Sequence, residues 1–226
     1  MLYFNPIYYL FAIPGLLLAL LAQFLVKSRY SKFSKVDAGS GLTGVQAAER
    51  IARMEGFDVE IKLTGGQLND NFNPVTNVVN LSADNQTSKS VANIAVVAHE
   101  FGHVQQKADA GLLFQIRTGI VPVVNIGSKL GYGLFLIGIL FAVTTLTNIG
   151  LILFSLTTVF TLITLPIEFD ASRRAMKLIE KHNLISMGEM GGAKKVLGAA
   201  ALTYVAALVQ SLGQLLYFVS IANRRR

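Results

Sequence analysis

Three long stretches of the chain carry no charged residue: Met1 to Val26, Leu130 to Ile167 and Val196 to Asn223. A helix needs about 20 apolar residues to cross a bilayer. The stretch PIYYLFAIPGLLLALLAQFLV (6–26) meets that length. It lacks the positive start and small-residue cleavage site of a signal peptide, so 1–26 reads as a retained anchor. Pro14 predicts a kink in it. Leu130–Ile167 is too long for one crossing. It predicts a transmembrane hairpin over 130–167, two helices of about 18 residues turning at Thr147, Asn148 and Gly150. Val196–Asn223 is rich in Ala and Gly, which suits close helix packing in lipid. Gln210 and Gln214 leave two readings for the C-terminal helix (196–226): a crossing, or a helix packed against the others.

Two more polar regions separate these runs, 27–129 and 168–195. In TGVQAAERIARMEG (43–56), Thr43 and Gln46 have capping-box spacing and Gly56 marks the helix end. Val45, Ala48, Ile51 and Ala52 form its apolar stripe. FDVEIKL (57–63) alternates as a half-buried strand does. GGQLNDNFNPVTN (65–77) is turn chemistry throughout, and VVNLS (78–82) predicts a second short strand, available at a sheet edge to an extended peptide. VANIAVVAHEFGHVQQKAD (91–109) predicts one helix, buried on several faces, with Ser88 or Ser90 as its N-cap. LLFQIRTGIVPVVNIGSK (112–129) is apolar but carries Arg117 and Lys129. It predicts a segment at the membrane surface, with Lys129 snorkelling.

Composition sharpens this picture. Of 226 residues, 52% are hydrophobic and only 15% charged, which is apolar for a soluble domain. The absence of cysteine excludes disulfides and thiolate metal sites. Any metal must be held by His, Asp or Glu. The net charge is +7. The cations cluster in KSRYSKFSK (27–35) and in Arg173, Arg174, Lys177, Lys181, Lys194 and Lys195. By the positive-inside rule both regions face the cytoplasm, and a hairpin between them returns the chain to that side. The terminal RRR (224–226) breaks the rule if 196–223 crosses. These cations flank membrane segments and are not interleaved with aromatics, which argues against nucleic acid and for a lipid bilayer as partner. No carboxylate pair lies at a span centre, which argues against an ion path.

The candidate chemistry sits in AHEFGHVQQ (98–106). Residues four apart share one helix face, so His99 and His103 can aim two imidazole nitrogens at one point. Zinc takes such ligands in tetrahedral sites. Glu100 leans beside that point, placed to accept a proton from an activated water. Gly102 costs helix propensity and suggests close approach by another element. A catalytic zinc usually has three protein ligands. His182 is one candidate. Glu168 is the better one, because it closes the apolar run in TLPIEFDASRRA at the expected cytoplasmic end of the hairpin. His, His and Glu is the ligand set of one class of zinc proteases. A structural zinc closed by His182, without hydrolysis, is the competing reading. His182, Tyr204 and Arg117 are candidate donors to an oxyanion.

AHEFGHVQQ, TLPIEFDASRRA, the N-terminal anchor and GAKKVLGAAALTYVAAL (192–208) together resemble the YugP-like family of bacterial membrane zinc metallopeptidases. More distantly the chain is similar to the HtpX-type and CAAX prenyl protease membrane gluzincins. The resemblance implies a mainly α integral membrane protein with about three or four transmembrane helices. It implies a zincin-like α+β part made of the active-site helix and a small β-hairpin. It implies a zinc metalloendopeptidase of the inner or plasma membrane acting on peptide or membrane-protein substrates. Carried over, His99, His103 and Glu168 match the zinc ligands and Glu100 the catalytic base. The relatives' segment reads roughly E-x-x-A-D, so Ser172 stands where they have aspartate. Asp170 is the candidate for that residue's task of orienting a ligand histidine.

Overall fold

The computed structural model describes residues 6–66 and 69–224, so Met1–Asn5, Gln67, Leu68 and the last two arginines lie outside the described residues. Helix α1 spans Pro6–Phe33 and α2 spans Gly44–Glu55. Three strands follow: β1 (Glu60–Thr64), β2 (Asn71–Asn73) and β3 (Val78–Ser82). Helices α3 (Val91–Ala108), α4 (Leu112–Leu140), α5 (Thr144–Lys181) and α6 (Met190–Arg224) complete the chain, with short 3-10 turns at Ala83–Gln86 and Met187–Glu189.

The chain divides into two compact units. One comprises residues 1–22, 116–166 and 203–226, the other 23–115 and 167–202. Among the described residues, four helices are long and apolar enough to cross a membrane: α1, α4, α5 and the last helix over Met187–Asn223. Their outer faces expose large apolar side chains, such as Leu17, Ile126, Leu140, Ile152 and Leu162. In water such faces are a liability; in lipid they are the solvated surface. Pro14 lies inside an α1 that runs on through Lys27–Phe33.

The hairpin turns earlier in the chain than Thr147, Asn148 and Gly150 suggested. Its arms end at Leu140 and restart at Thr144, with Ala142 in the left-handed region at φ 58°. Residues 112–129 are the first part of the same helix, not a separate surface segment. The physical reason is packing. A methyl on Gly131 would come within 2.6 Å of the Phe154 amide, and methyls on Gly138 and Gly150 would strike the backbones of Thr147 and Phe135. These glycines bring two helices together, as small residues do in lipid, and do not turn the chain. Gly15 meets Gln210, and Gly213 meets Phe11, in the same manner between α1 and α6.

The second unit holds the sheet. Thr43 and Gln46 form the expected capping box on α2, and Gly56 adopts the left-handed conformation at its end. The sheet order is β1-β3-β2, with β1 parallel and β2 antiparallel to β3. The small hairpin is therefore β2–β3. β2 forms within the stretch read as turns throughout, because pairing along Asn71↔Asn80 to Asn73↔Val78 and burial of Phe72 outweigh local turn preference. β3 lies in the centre of the sheet, so it is not the open edge expected for VVNLS; β1 and β2 are the edges. Helix α3 is almost wholly buried, with Val91, Ile94, Val97, Ala98 and Phe101 sealed from solvent.

Candidate metal centre

The start of α3 is anchored by a polar network. Ser90 is its N-cap, its hydroxyl accepting from the Asn93 amide. The Asn93 side chain donates to Asn85 Oδ1 at 3.2 Å, and Asn85 donates to Asp70 Oδ1 at 2.8 Å. The Ser82 hydroxyl at the end of β3 donates to the same carboxylate at 2.6 Å. Each buried polar group has a partner, so the network fixes where α3 begins relative to the sheet.

Two turns further on, α3 presents His99 and His103. Their ring centroids are 4.9 Å apart and nearly perpendicular, at 82°. Glu168 of α5 reaches both, with Oε2 at 3.2 Å from His99 Nε2 and 3.5 Å from His103 Nε2. The candidate ligand atoms of His99, His103 and Glu168 all lie within 4.8 Å of one another. Glu168 is only 2% exposed. Burial pushes the His103 imidazolium down, but the hydrogen bond and charge of Glu168 outweigh it and the balance is upward. The cluster thus attracts positive charge, which a divalent cation supplies as well as a proton does.

Close approach of the two helices rests on Gly102. A methyl there would strike the Ala171 carbonyl, with the Ala171 carbonyl carbon at 3.0 Å. Glu100 is buried beside the cluster, and among the described residues it makes no hydrogen bond or ion pair. Burial pushes its carboxyl above the usual range, against the pull of His99 and His103.

The far nitrogens of both histidines are also engaged. The Ser172 hydroxyl lies 3.3 Å from His99 Nδ1. His103 Nδ1 lies 2.9 Å from Gln106 Oε1. An amide oxygen only accepts, so His103 donates from Nδ1 to Gln106, and Nε2 is the nitrogen that faces Glu168 and the cluster. The Gln106 amide nitrogen donates to the Ile167 carbonyl at 2.8 Å and to Asp170 at 3.0 Å. Asp170 therefore bonds neither histidine directly. It reaches His103 through Gln106, and it is itself held by Arg174 at 2.6 Å.

Sequence reasoning had not singled out Gln106. Its signal was present: it lies three residues after His103, on the same helix face. His182 is not in the cluster. Its Nε2 sits 2.5 Å from Glu55 Oε1, where Lys181 also binds. Arg117 and Tyr204 belong to the other unit.

Apolar helices fit to cross a bilayer, with a small sheet and a buried His, His, Glu cluster where α3 meets α5, define a helical membrane metalloprotein. Comparison narrows the class. Residues 8–223 match the family described as "Putative neutral zinc metallopeptidase", and the chain belongs to that family. It is 44% identical over 210 residues to "Putative membrane protease YugP" of Bacillus subtilis (strain 168), covering 92% of this chain and 93% of that protein. No solved structure matches. The family's metal is zinc, and two imidazoles with one carboxylate are a donor set that suits it.

Proposed function

We propose that the chain is a zinc metalloendopeptidase of gluzincin type that cuts peptide bonds by general-base activation of water. The observation that carries this reading is the convergence of Glu168 on His99 and His103, beside a buried Glu100 that makes no hydrogen bond or ion pair among the described residues. Zinc, when bound, supplies Lewis acidity toward water and the scissile carbonyl. His99, His103 and Glu168 hold it. Ser172 and the Gln106–Asp170 pair orient the two imidazoles. Glu100 takes the proton from the attacking water and passes it to the leaving amine; its raised affinity for a proton suits both halves of that task.

The competing reading is a closed structural zinc without hydrolysis. It needs a fourth protein ligand, and the candidate, His182, is bound to Glu55 instead. The cations of 27–35 and 168–195 support a multi-pass protein of the bacterial inner or plasma membrane with its site on the cytoplasmic face. The test is peptide cleavage by the detergent-purified, zinc-loaded protein against Glu100→Gln. The expected loss is about 100-fold or more. Equal activity of the two proteins would remove Glu100 from the mechanism.

A further inference from the structure

Beside the metal cluster, in the same unit, α5 and α6 form a hollow of about 420 Å³, broadly open to the surface. That size accommodates one large side chain and its neighbour. Its walls are mostly apolar, made by Phe169, Met176 and Leu197. Phe169 is 45% exposed, so its ring is open to an occupant of the cavity. Ser172 forms part of the wall, and its hydroxyl is the one that touches His99. An occupant of the cavity is thus one side chain away from a candidate metal ligand.

The rim is cationic. Arg173 and Lys194 both line the cavity. Arg173 is well exposed, and its ion pair with Asp170 is long, at 3.7 Å. Lys194 makes no ion pair among the described residues. Two cations above an apolar hollow complement a ligand that is apolar at one end and carboxylate-bearing at the other.

We propose that this cavity is a substrate subsite, taking a large apolar side chain next to a carboxylate, either an acidic side chain or a peptide C-terminus. The proposal rests on the peptidase reading above. Gly198 provides the handle. It lines the cavity, and a methyl on it would meet nothing within 4 Å, so a larger residue there fills the cavity without displacing backbone.

The test uses the full-length, zinc-loaded protein in detergent. Internally quenched peptides with amidated ends carry one central pair: Leu-Glu, Ala-Glu, Leu-Lys or Ala-Lys. A second set ends in Leu, as free acid or as amide. Cleavage is measured on the wild type. Binding of the same peptides is measured by fluorescence anisotropy on Glu100→Gln. Leu-Glu is expected to exceed Ala-Glu by about tenfold or more, the discrimination an apolar pocket gives. It is expected to exceed Leu-Lys several-fold, less so at high salt. A preference for the free-acid set over the central Leu-Glu peptides assigns the carboxylate to the chain end; the reverse assigns it to a side chain.

Gly198→Leu should collapse the Leu to Ala ratio toward one, and Lys194→Glu, which leaves Arg173 against a new carboxylate, should collapse the Glu to Lys preference toward one. Gly191→Leu, at another open α6 position outside the cavity lining, should preserve both ratios. Ratios near one in the wild type, or ratios untouched by Gly198→Leu and Lys194→Glu, overturn the subsite. So does a Gly198→Leu protein that retains less phosphatidylglycerol through purification while its peptide ratios stay unchanged, because the cavity is then a lipid site. Cleavage without selectivity removes the subsite and leaves the peptidase reading. Selective binding to Glu100→Gln with no cleavage by the wild type removes the peptidase reading and leaves a peptide site.

Discussion

Gly102 of α3 lies against the backbone carbonyl of Ala171, one turn of α5 beyond Glu168. The absence of a side chain at 102 sets the distance between the helix that carries both histidines and the helix that carries the carboxylate. Gly102→Ala forces the backbones apart. The helix-propensity gain of alanine, about 1 kcal/mol, works against an overpacking cost of about 1–3 kcal/mol. The expected result is a modest loss of thermal stability and a larger loss of bound zinc, read by elemental analysis after dialysis against a weak chelator. Full zinc retention would mean that α5 does not depend on this contact for its placement.

Metal content separates the two candidate third ligands. Glu168→Ala should reduce zinc from about one per chain to well under half, since a two-histidine site is incomplete. His182→Ala should keep it, because His182 is engaged with Glu55. The opposite pattern, measured on the same preparations, would restore the structural-zinc reading.

Gln106 is expected to act on the metal without touching it. Gln106→Leu leaves His103 Nδ1 without its acceptor and removes the side-chain donor to the Ile167 carbonyl and to Asp170, which keeps Arg174. Loss of such an outer partner typically weakens metal affinity about 10–100-fold. Gln106→Glu keeps the acceptor for His103 but sets a carboxylate against Asp170, so it should weaken binding as well. Competitive zinc titration with a chromophoric chelator measures both; unchanged affinity in Gln106→Leu would reduce the contact to packing.

The clasp of Glu55 with Lys181 and His182 joins α2 to the end of α5. The hydrogen bond from Lys181 holds the Glu55 carboxyl below its ordinary value of 4.5, burial opposes this, and His182 adds to the lowering. A carboxyl depressed on folding stabilises fully above its unfolded value, and that contribution is lost as pH falls through the lower folded value. Unfolding midpoints of wild type and Glu55→Gln should therefore differ by a constant amount above pH 4.5 and converge below it. A gap that persists unchanged into acid would mean that the clasp contributes through shape alone.

Much of this protein is legible in its sequence because the signals are local or periodic. Charge-free runs locate α1, most of the apolar part of α5, and α6; α4 starts at Leu112, ahead of its run, and carries Arg117 and Lys129. The capping box at Thr43, the Ser90 cap and the end of α3 near Asp109 depend on backbone groups only a few residues away, and each forms where the chain chemistry predicts. The pairing of His99 with His103 needs only the helical repeat.

Tertiary structure decided what depends on partners distant in the chain. β2 exists because β3 is there to pair with it, and that same pairing makes β3 central. The hairpin turns at Phe141–Val143 because the nearby glycines are spent on helix contact, a use that composition cannot separate from a turn. Glu168 could be chosen from its place at the end of an apolar run, but only the packing of α5 on Gly102 brings it to 3.2 Å from His99, across 69 residues of chain. The same packing routes Asp170 through Gln106 and leaves His182 to Glu55, since hydrogen-bond partners follow from which helix faces meet.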